Sequence, residues 1–236
     1  MHSPISAGRS YGCPLELAQR LLVVREVAQL VQYKLSRGQA LNNARLAAHM
    51  WAIDRALTRL NAMVDEMRDV ARLQVGQALE LQREEVDVSA LVHLVAAEYE
   101  GAAGRPCVEV QAPAEAVLVC GDRARLERVL HNLIGNAVKY SPHGTPVDVA
   151  VQTQEQWAVV TVRDQGLGIP AEDLPHIFTR FFRASTARGV KGTGIGLAGS
   201  KAIIEQHHGQ IMVESAVGQG TTVTICLPSS PARSRS

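Results

Sequence analysis

A stripe of polar side chains is predicted on the helix that follows Asp122. Apolar residues repeat on one face of that helix, and the residues off that face are Asn132, Asn136, Lys139 and Tyr140. Their spacing of i, i+4, i+7 and i+8 aligns them along one line of the surface. These groups could offer oxygen to a hard cation, charge to phosphates and a ring to a base or sugar. Taken alone, such a stripe is more often a solvated helix face.

Two glycine-rich segments lie further along the chain, DQGLGIP at 164–170 and KGTGIGL at 191–197. Glycine lets a backbone turn sharply or approach a ligand, and the Asp164 carboxylate could accept a hydrogen bond from adenine N6. The second segment runs into a helix, whose N-terminal N–H groups favour phosphate oxygens. Each segment has a plainer alternative, because Asp-x-Gly turns are common and a glycine-rich helix start can serve packing alone.

The connection between the two glycine segments contains all three phenylalanines of the chain, Phe178, Phe181 and Phe182. A run of small residues follows, and its cations are Arg183, Arg188 and Lys191. An aromatic anchor followed by a basic, small-residue stretch predicts a lid over a ligand. Long connections of this kind are usually functional loops or disorder, and the flanking glycine motifs favour function.

The elements that position these groups alternate between strand and helix periodicity. Helices are predicted at 89–100, after the N-cap Asp122, and at 196–207, where Gly209 ends the last one. Strands are predicted at 108–110, 116–119, 147–151, 158–162, 210–214 and 221–227. The interleaving predicts an α+β domain of two layers at 85–228. A disordered tail is predicted at 229–236, which is rich in Ser, Pro and Arg.

Residues 15–84 carry a different pattern, two apolar seams with spacings of three and four between 17 and 35 and between 53 and 67. Two helices joined by a polar loop predict an antiparallel hairpin. Burial of its seam predicts dimerisation into a four-helix bundle. A hairpin packed on its own domain would have the same spacing. Residues 1–14 are predicted to be poorly ordered.

Composition excludes several classes of protein. The chain has 24 Lys and Arg against 23 Asp and Glu, so no overall field favours a nucleic-acid partner. Four dispersed cysteines predict reduced thiols and a cytoplasmic setting. No apolar run approaches the roughly 18 residues that span a bilayer. If the protein senses a signal across a membrane, the spanning part is expected elsewhere.

Taken in order, HNLIGNAVKYS at 131–141, DQGLGIP, the phenylalanine-rich segment and KGTGIGLA resemble the N, G1, F and G2 boxes of the sensor histidine kinases of two-component systems. The resemblance reaches back to about Ile53. It implies a GHKL-type two-layer α/β sandwich preceded by a dimerisation and phosphotransfer hairpin. It also implies binding of ATP with Mg²⁺ and phosphoryl transfer to histidine and on to a response-regulator aspartate. The implied partners are a second copy, or an intact kinase subunit, and a response regulator.

The resemblance implies a role for each residue of the polar stripe. Asn136 resembles the magnesium ligand, and Asn132 its neighbour at the phosphates. Lys139 resembles a phosphate contact, and Tyr140 is expected to border the nucleotide. The candidate lid cations are Arg183, Arg188 and Lys191.

On the adenine side, Asp164 is similar to the family's adenine-reading carboxylate, and Thr221 to a threonine that supports it. The remaining expected nucleotide contacts are Gly166, Gly168, Ile169, Phe178, Gly192, Thr193, Gly194, Ile195, Gly196 and Leu197.

Asn132 separates two branches of the superfamily. ATP-hydrolysing relatives carry a glutamate there to activate water. A carboxamide cannot take a proton at neutral pH, so phosphoryl transfer is favoured over rapid hydrolysis.

The family's phosphoacceptor histidine has no counterpart in the best hand alignment, which registers Leu15 at that position. Glu16 would be the general base beside it, and Gln19 stands where relatives hold a residue that orients water for dephosphorylation. A regulatory binding module and a response-regulator phosphatase are therefore the alternatives to a kinase. A third alternative is a serine kinase of the anti-sigma type in the same superfamily. Such kinases lack a long N-terminal hairpin, so the apolar seams of residues 15–84 argue against it.

Overall fold

The computed structural model describes residues 81–99, 107–142, 145–187, 189–190 and 192–230. Three α-helices fall within these ranges, α1 (Val88–Ala97), α2 (Arg123–Tyr140) and α3 (Gly196–Gln206). The strands in the same ranges are β1 (Glu84–Asp87), β2 (Val108–Gln111), β3 (Leu118–Gly121), β4 (Val147–Gln154), β5 (Trp157–Arg163), β6 (Gln210–Ala216) and β7 (Gly220–Pro228). The predicted hairpin lies outside the described residues except for its last few positions, and it stays a prediction.

Five strands form one sheet in the order β2-β4-β5-β7-β6. Strands β2 and β4 are parallel, and the other neighbours are antiparallel. A separate antiparallel pair joins β1 to β3. The three helices pack against the sheet, with contacts from α1 to β2, from α2 to β4 and β5, and from α3 to β6. The predicted α+β class with a layer of helices on a sheet is confirmed.

Helix α2 begins where the sequence predicts it. The Asp122 carboxylate accepts a hydrogen bond from the Arg125 N–H, which caps one of the free donors of the first turn. The buried residues are the predicted apolar set, Leu126, Val129, Leu130, Leu133, Ile134 and Ala137. Because that face is fixed against the core, the polar stripe lies along its flank, where Asn132 reaches helix α3.

Strands β5 and β7 are neighbours in the interior of the sheet, and β5 is buried over most of its length. Ala158, Val160 and Val162 lie in the core with helix α2 above them, whereas Arg163 is exposed. Strand β5 ends at Arg163, directly before Asp164, and β7 lies beside it along its length. The end of β5 therefore places the first glycine segment at one end of the sheet.

Several details differ from the sequence predictions. Strand β1 was not predicted and spans the expected boundary between residues 84 and 85. Strand β3 covers 118–121 instead of 116–119, and α3 ends one residue earlier, at 206. The backbone N–H groups of Ser229 and Ser230 donate to Gln156 and Leu118. Hydrogen-bonded structure thus extends two residues into the segment for which a disordered tail is predicted.

A buried histidine joins the ends of two helices. His207, at the end of α3, accepts a hydrogen bond at Nε2 from the Asp122 N–H over 2.9 Å. Its Nδ1 lies 2.7 Å from the Ile203 carbonyl oxygen. This contact fixes the end of α3 beside the start of α2.

Among the helices in the described ranges, none has the length and apolar character needed to cross a bilayer.

Candidate functional site

The two asparagines of the predicted stripe are hydrogen-bonded to each other and to helix α3. Asn132 donates from Nδ2 to Ser200 Oγ over 2.9 Å. Asn136 donates from Nδ2 to Asn132 Oδ1 over 3.4 Å. Ser200 is buried, whereas both carboxamides are partly accessible. The pair is therefore held in one orientation, with the Asn136 carboxamide oxygen left for a ligand.

Lys139 and Tyr140 follow on the last turn of α2. The Lys139 ammonium group donates to the Tyr140 hydroxyl over 3.1 Å and lies 4.6 Å from the centroid of that ring. Gly192 of the second glycine segment packs against them, and a Cβ there would lie 2.9 Å from Lys139 Nζ. The structure thus brings the ammonium group to the second glycine segment.

Gly196 begins helix α3 in direct contact with the asparagine pair. A Cβ on Gly196 would overlap the Asn132 carboxamide. The absent side chain therefore lets Asn132 lie against the helix N-terminus, where N–H groups and the helix dipole favour an anion. Of the neighbouring predicted contacts, Ile195 is buried, Thr193 is partly exposed, and Leu197 packs against the core.

Asp164 is buried at the end of β5. Its Oδ1 accepts hydrogen bonds from the Gly166 N–H over 2.8 Å and from the Thr221 N–H over 3.1 Å. Burial raises the pKa of the Asp164 carboxyl above its ordinary value of 3.8, and the two N–H groups act in the opposite direction. Because both bonds reach Oδ1, Oδ2 is the oxygen left for a ligand.

Ser215 joins the first glycine segment to the β6–β7 turn. Its hydroxyl accepts from the Ile169 N–H, donates to the Gly220 carbonyl and contacts Thr221 Oγ1 at 2.9 Å. Gly168 has a φ of 65° and lies against Ala216, so any other residue there would be strained and would overlap that carbonyl. The predicted adenine site is thereby fixed to two strands.

The phenylalanine-rich segment is tied to both glycine loops. The Asp173 carboxylate accepts from the Ser185 N–H and hydroxyl at 2.8 Å each. Thr186 Oγ1 donates to the Gly168 carbonyl, and the Phe181 N–H donates to the Gly194 carbonyl, both over 2.8 Å. We call residues 171–187 the lid. Its two short 3₁₀ turns are Leu174–His176 and Ser185–Ala187.

Two predicted lid residues contact groups other than a phosphate position. The Arg183 guanidinium donates to the carbonyls of Ala187 and Val190, so it organises the lid backbone in this structure. The Phe178 ring lies 5.3 Å from Lys201 Nζ of helix α3. The predicted residues Glu16, Arg188 and Lys191 lie outside the described residues.

The structure therefore brings together the α2 stripe, both glycine segments, the lid and Thr221. Sequence reasoning missed Ser200 and Ser215, each of which orients a predicted site residue. Their signal was weak, because a single serine in an apolar helix or strand has many structural roles. In the described part of the chain, no group of three or more His, Cys, Asp or Glu side chains is arranged for a metal ion.

Comparison with known proteins finds relatives of this domain. The family model described as histidine kinase-, DNA gyrase B- and HSP90-like ATPase matches residues 121–231. The sensor-like histidine kinase SenX3 of Mycobacterium tuberculosis is 37% identical over 173 residues, which are 72% of this chain and 42% of that protein. The sensor protein kinase PmrB of Pseudomonas aeruginosa is 34% identical over 177 residues, which are 75% and 37% of the two chains.

A solved structure extends the comparison. The mycobacterial sensor histidine kinase MprB is 30% identical with a TM-score of 0.53, and the match covers 63% of this chain and 99% of that one. The chain spans less than half of the length of the curated relatives SenX3 and PmrB. With its site geometry, its fold and these matches taken together, the chain belongs to the sensor histidine kinases of two-component systems and carries their GHKL-type ATP-binding domain.

Proposed function

We propose that the chain binds ATP with Mg²⁺ and acts as a histidine-kinase-like phosphotransferase. One observation carries the proposal: the Asn132–Asn136 pair, the buried Asp164 and two glycine loops meet at one end of the sheet. Together they offer a base-reading carboxylate, open backbone donors for phosphates and a carboxamide oxygen for a hard cation. A solvated helix face alone would need none of these contacts.

In the proposed complex, Asp164 Oδ2 accepts a hydrogen bond from the adenine amino group. Thr221 and Ser215 hold that carboxylate and the neighbouring loop in place. Tyr140 borders the nucleotide, and Lys139 balances phosphate charge beside Gly192. The N-terminus of α3 binds phosphate oxygens in this complex. The missing side chains of Gly192, Gly194 and Gly196 let Lys139, the Phe181–Phe182 backbone and Asn132 lie close to this loop.

The residues present fit a magnesium ion. Only glycine at 196 lets the Asn132 carboxamide lie against the start of α3, since a Cβ there would overlap it, and Asn136 donates its amide nitrogen to Asn132, which leaves its oxygen available. Magnesium commonly takes one or two protein oxygens together with substrate phosphates and waters. We therefore assign Asn136 as the ligand and Asn132 as its support. The bound ion would neutralise phosphate charge during transfer.

The proposed acceptor is a histidine, and an aspartate of a response regulator receives the group from it. Asn132 lacks a proton-accepting group at the position from which water would be activated, so hydrolysis is disfavoured. Because the alignment places Leu15 at the acceptor position, we propose transfer to the histidine of a partner subunit. Glu16 is the proposed base beside that position. Dimerisation through the hairpin, a response-regulator partner and a cytoplasmic location belong to the same proposal.

The sequence at Leu15 also favours a second function. Without an acceptor, the chain would serve as a regulatory binding module or as a response-regulator phosphatase, with Gln19 at the water-orienting position. This candidate predicts ATP binding without phosphorylation of any histidine.

A trans-phosphorylation assay tests the proposal. The natural chain is incubated with γ-labelled ATP and Mg²⁺, alone and with a Leu15→His, Asn136→Ala double variant that supplies an acceptor without the metal-binding asparagine. We expect acid-labile label on the double variant only when the natural chain is present. The double variant alone is the control for self-labelling, and calorimetry with ATP and Mg²⁺ measures binding by the natural chain.

Each other outcome has a defined meaning. Acid-labile label on the natural chain alone would show that its acceptor lies elsewhere in the sequence. ATP binding with no label in the mixture would favour the regulatory candidate. Absence of ATP binding would overturn both.

A further inference from the structure

Ser200 is a buried polar residue that the proposed chemistry does not use. It lies on α3, one turn after Gly196, and only 3% of its surface is exposed. Its Oγ accepts the 2.9 Å hydrogen bond from Asn132 Nδ2. A buried hydroxyl in a helix that faces a second helix is costly unless it is hydrogen-bonded. The bond to Asn132 compensates for that burial.

We infer that Ser200 is a positioning residue that keeps the Asn136 oxygen available to magnesium by giving Asn132 an acceptor on its other side. The inference rests on the proposed Mg-ATP binding. In the observed orientation, Asn132 donates to Ser200 and accepts from the Asn136 amide nitrogen. The Asn136 oxygen then takes part in neither of these two hydrogen bonds.

The opposite orientation would consume that oxygen. A carboxamide that turns over exchanges its donor and its acceptor ends. If Ser200 offered no acceptor, the Asn132 NH₂ group would gain most by turning towards Asn136 Oδ1, because an unsatisfied donor is unfavourable at a partly buried position. Magnesium would then compete with an internal hydrogen bond for its ligand. The effect reaches the metal only through Asn132.

The chain offers a matched control. Ser89 on α1 is also buried, and no partner for its Oγ is found among the described residues. Ser200→Ala and Ser89→Ala therefore remove the same atom from two buried helical positions, and only one of them holds a site residue. Ser200→Thr keeps the acceptor oxygen and serves as the conservative variant.

A first experiment tests the network without nucleotide. The full chain has five asparagines, at 42, 43, 61, 132 and 136, so labelling of asparagine alone gives a simple side-chain amide spectrum. Asn132→Ala and Asn136→Ala assign the two site signals. We expect Ser200→Ala to shift the Asn132 and Asn136 amide signals, and Ser89→Ala to leave both in place. An unchanged Asn136 signal in Ser200→Ala would overturn the inference.

A second experiment measures the metal dependence of ATP binding with and without Mg²⁺. We expect Ser200→Ala to weaken ATP binding about three- to tenfold in Mg²⁺, the fold-change of one hydrogen bond, and by less than about twofold in EDTA. Ser200→Thr should restore most of the Mg²⁺-dependent affinity, and Ser89→Ala should match the natural chain in both conditions. Equal losses with and without the metal would overturn the inference.

A double-mutant cycle separates this role from general support of the fold. If Ser200 acts only through Asn132, Ser200→Ala should cause no further loss of Mg²⁺ dependence in an Asn132→Ala background. Additive losses would contradict the inference. Should the natural chain bind no Mg-ATP, the proposed function fails, and the amide spectra still decide whether Ser200 controls the asparagine pair.

Discussion

The Asp164 carboxylate shows how one residue is divided between folding and binding. Its Oδ1 is held by two backbone N–H groups, while Oδ2 is left for the proposed adenine. Burial raises its pKa, so the folded protein binds the proton more tightly than the unfolded chain does. Stability contributed by this group therefore falls as pH rises from 3.8 through the folded pKa. At neutral pH the charge is kept at a cost to stability.

Replacement of Asp164 with Asn should separate the two roles. Asn keeps the acceptor for both N–H groups and removes the charge, so we expect a free energy of unfolding at pH 7 no lower than that of the natural chain. ATP affinity should fall about ten- to a hundredfold, because an NH₂ group would face the adenine amine. Urea unfolding and calorimetry measure the two effects. Asp148→Asn on β4 is the control, and ATP affinity within about twofold in Asp164→Asn would refute the adenine contact.

Gly196 gives a second test at the residue scale. An added Cβ would overlap the Asn132 carboxamide, so we expect Gly196→Ala to reduce ATP affinity by at least about tenfold through displacement of the asparagine pair. Gly189→Ala is the matched control, because a Cβ there meets no atom within 4 Å. Binding of a fluorescent ATP analogue measures both variants. Equal affinities for the two would mean that the contact at Gly196 is irrelevant to the site.

The sequence predicts individual residues well where periodicity applies. All six buried residues of α2 follow from one apolar repeat, and the polar stripe beside them follows from the same helix. Ser200 could not be found in this way, since its partner Asn132 lies 68 residues away and the contact depends on how two helices cross. Arg183 has the charge of a phosphate contact, but its backbone partners depend on the fold of the lid.

At the scale of elements, the lid is held by a small number of side-chain bonds. Asp173 joins the two 3₁₀ turns through Ser185, and Thr186 joins the second turn to Gly168. These bonds lie near the surface and cross short turns, so they order the lid without adding much to global stability. The sequence predicted a lid with a short turn anchored by its phenylalanines, but not the side-chain bonds of these two turns, because those bonds depend on tertiary contacts.

Asp173→Ala should loosen the lid while the domain stays folded. We expect faster amide exchange in the lid, a several-fold higher ATP dissociation rate, and a loss of about 1 kcal/mol or less in the free energy of unfolding. Glu172→Ala changes the exposed neighbour and serves as the control. Stopped-flow displacement of a fluorescent ATP analogue measures the rate. An unchanged rate in Asp173→Ala would show that the Ser185 contact does not retain nucleotide.

Elements were predicted where the apolar pattern is strong and missed where it is short. Strands β4, β5, β6 and β7 appear within a few residues of their predicted bounds. Strand β1 has only four residues, EEVD, with a single buried apolar side chain. Nothing in its composition favours a strand, and its pairing with β3 provides the missing information.

At the scale of the whole domain, the helix layer includes a junction between α3 and α2 that no sequence motif predicted. His207 links the end of α3 to the start of α2, and Asp122 also accepts from the Gln82 N–H at the edge of the described chain. Gly121 permits the contact, since a Cβ there would lie 2.8 Å from the His207 ring. The α+β class could be predicted because segments with strand periodicity and helix periodicity alternate along the sequence. The contact of His207 with Asp122 could not, because it depends on how the folded chain brings the two helix ends together.

The junction should make domain stability depend on pH. Burial lowers the pKa of His207 below its ordinary value of 6.5, and the neighbouring Arg83 acts in the same direction. Neutral His207 accepts from the Asp122 N–H at Nε2 and can donate from Nδ1 to the Ile203 carbonyl. A protonated ring carries an N–H at both nitrogens, so its Nε2–H would face the Asp122 N–H. Below pH 6.5 the His207 side chain of the unfolded chain is protonated, whereas in the folded domain it stays largely neutral until the pH approaches its lowered pKa. Stability is therefore fully present above 6.5 and decreases as pH falls towards the folded pKa.

Urea unfolding between about pH 8 and pH 5.5 tests this expectation in a Trp51→Phe background, which leaves Trp157 on β5 as the probe. The natural chain should lose stability over this range, because burial lowers the pKa of His207 more than the Ile203 hydrogen bond and Asp122 raise it, and Arg125 adds to the lowering. His207→Gln should be less stable by about 1–3 kcal/mol at pH 8 and should depend less on pH. His208→Gln, at an exposed neighbour, should keep the natural slope. If His207→Gln and the natural chain have parallel slopes, the acid sensitivity comes from another group, and the junction between α2 and α3 is not its cause.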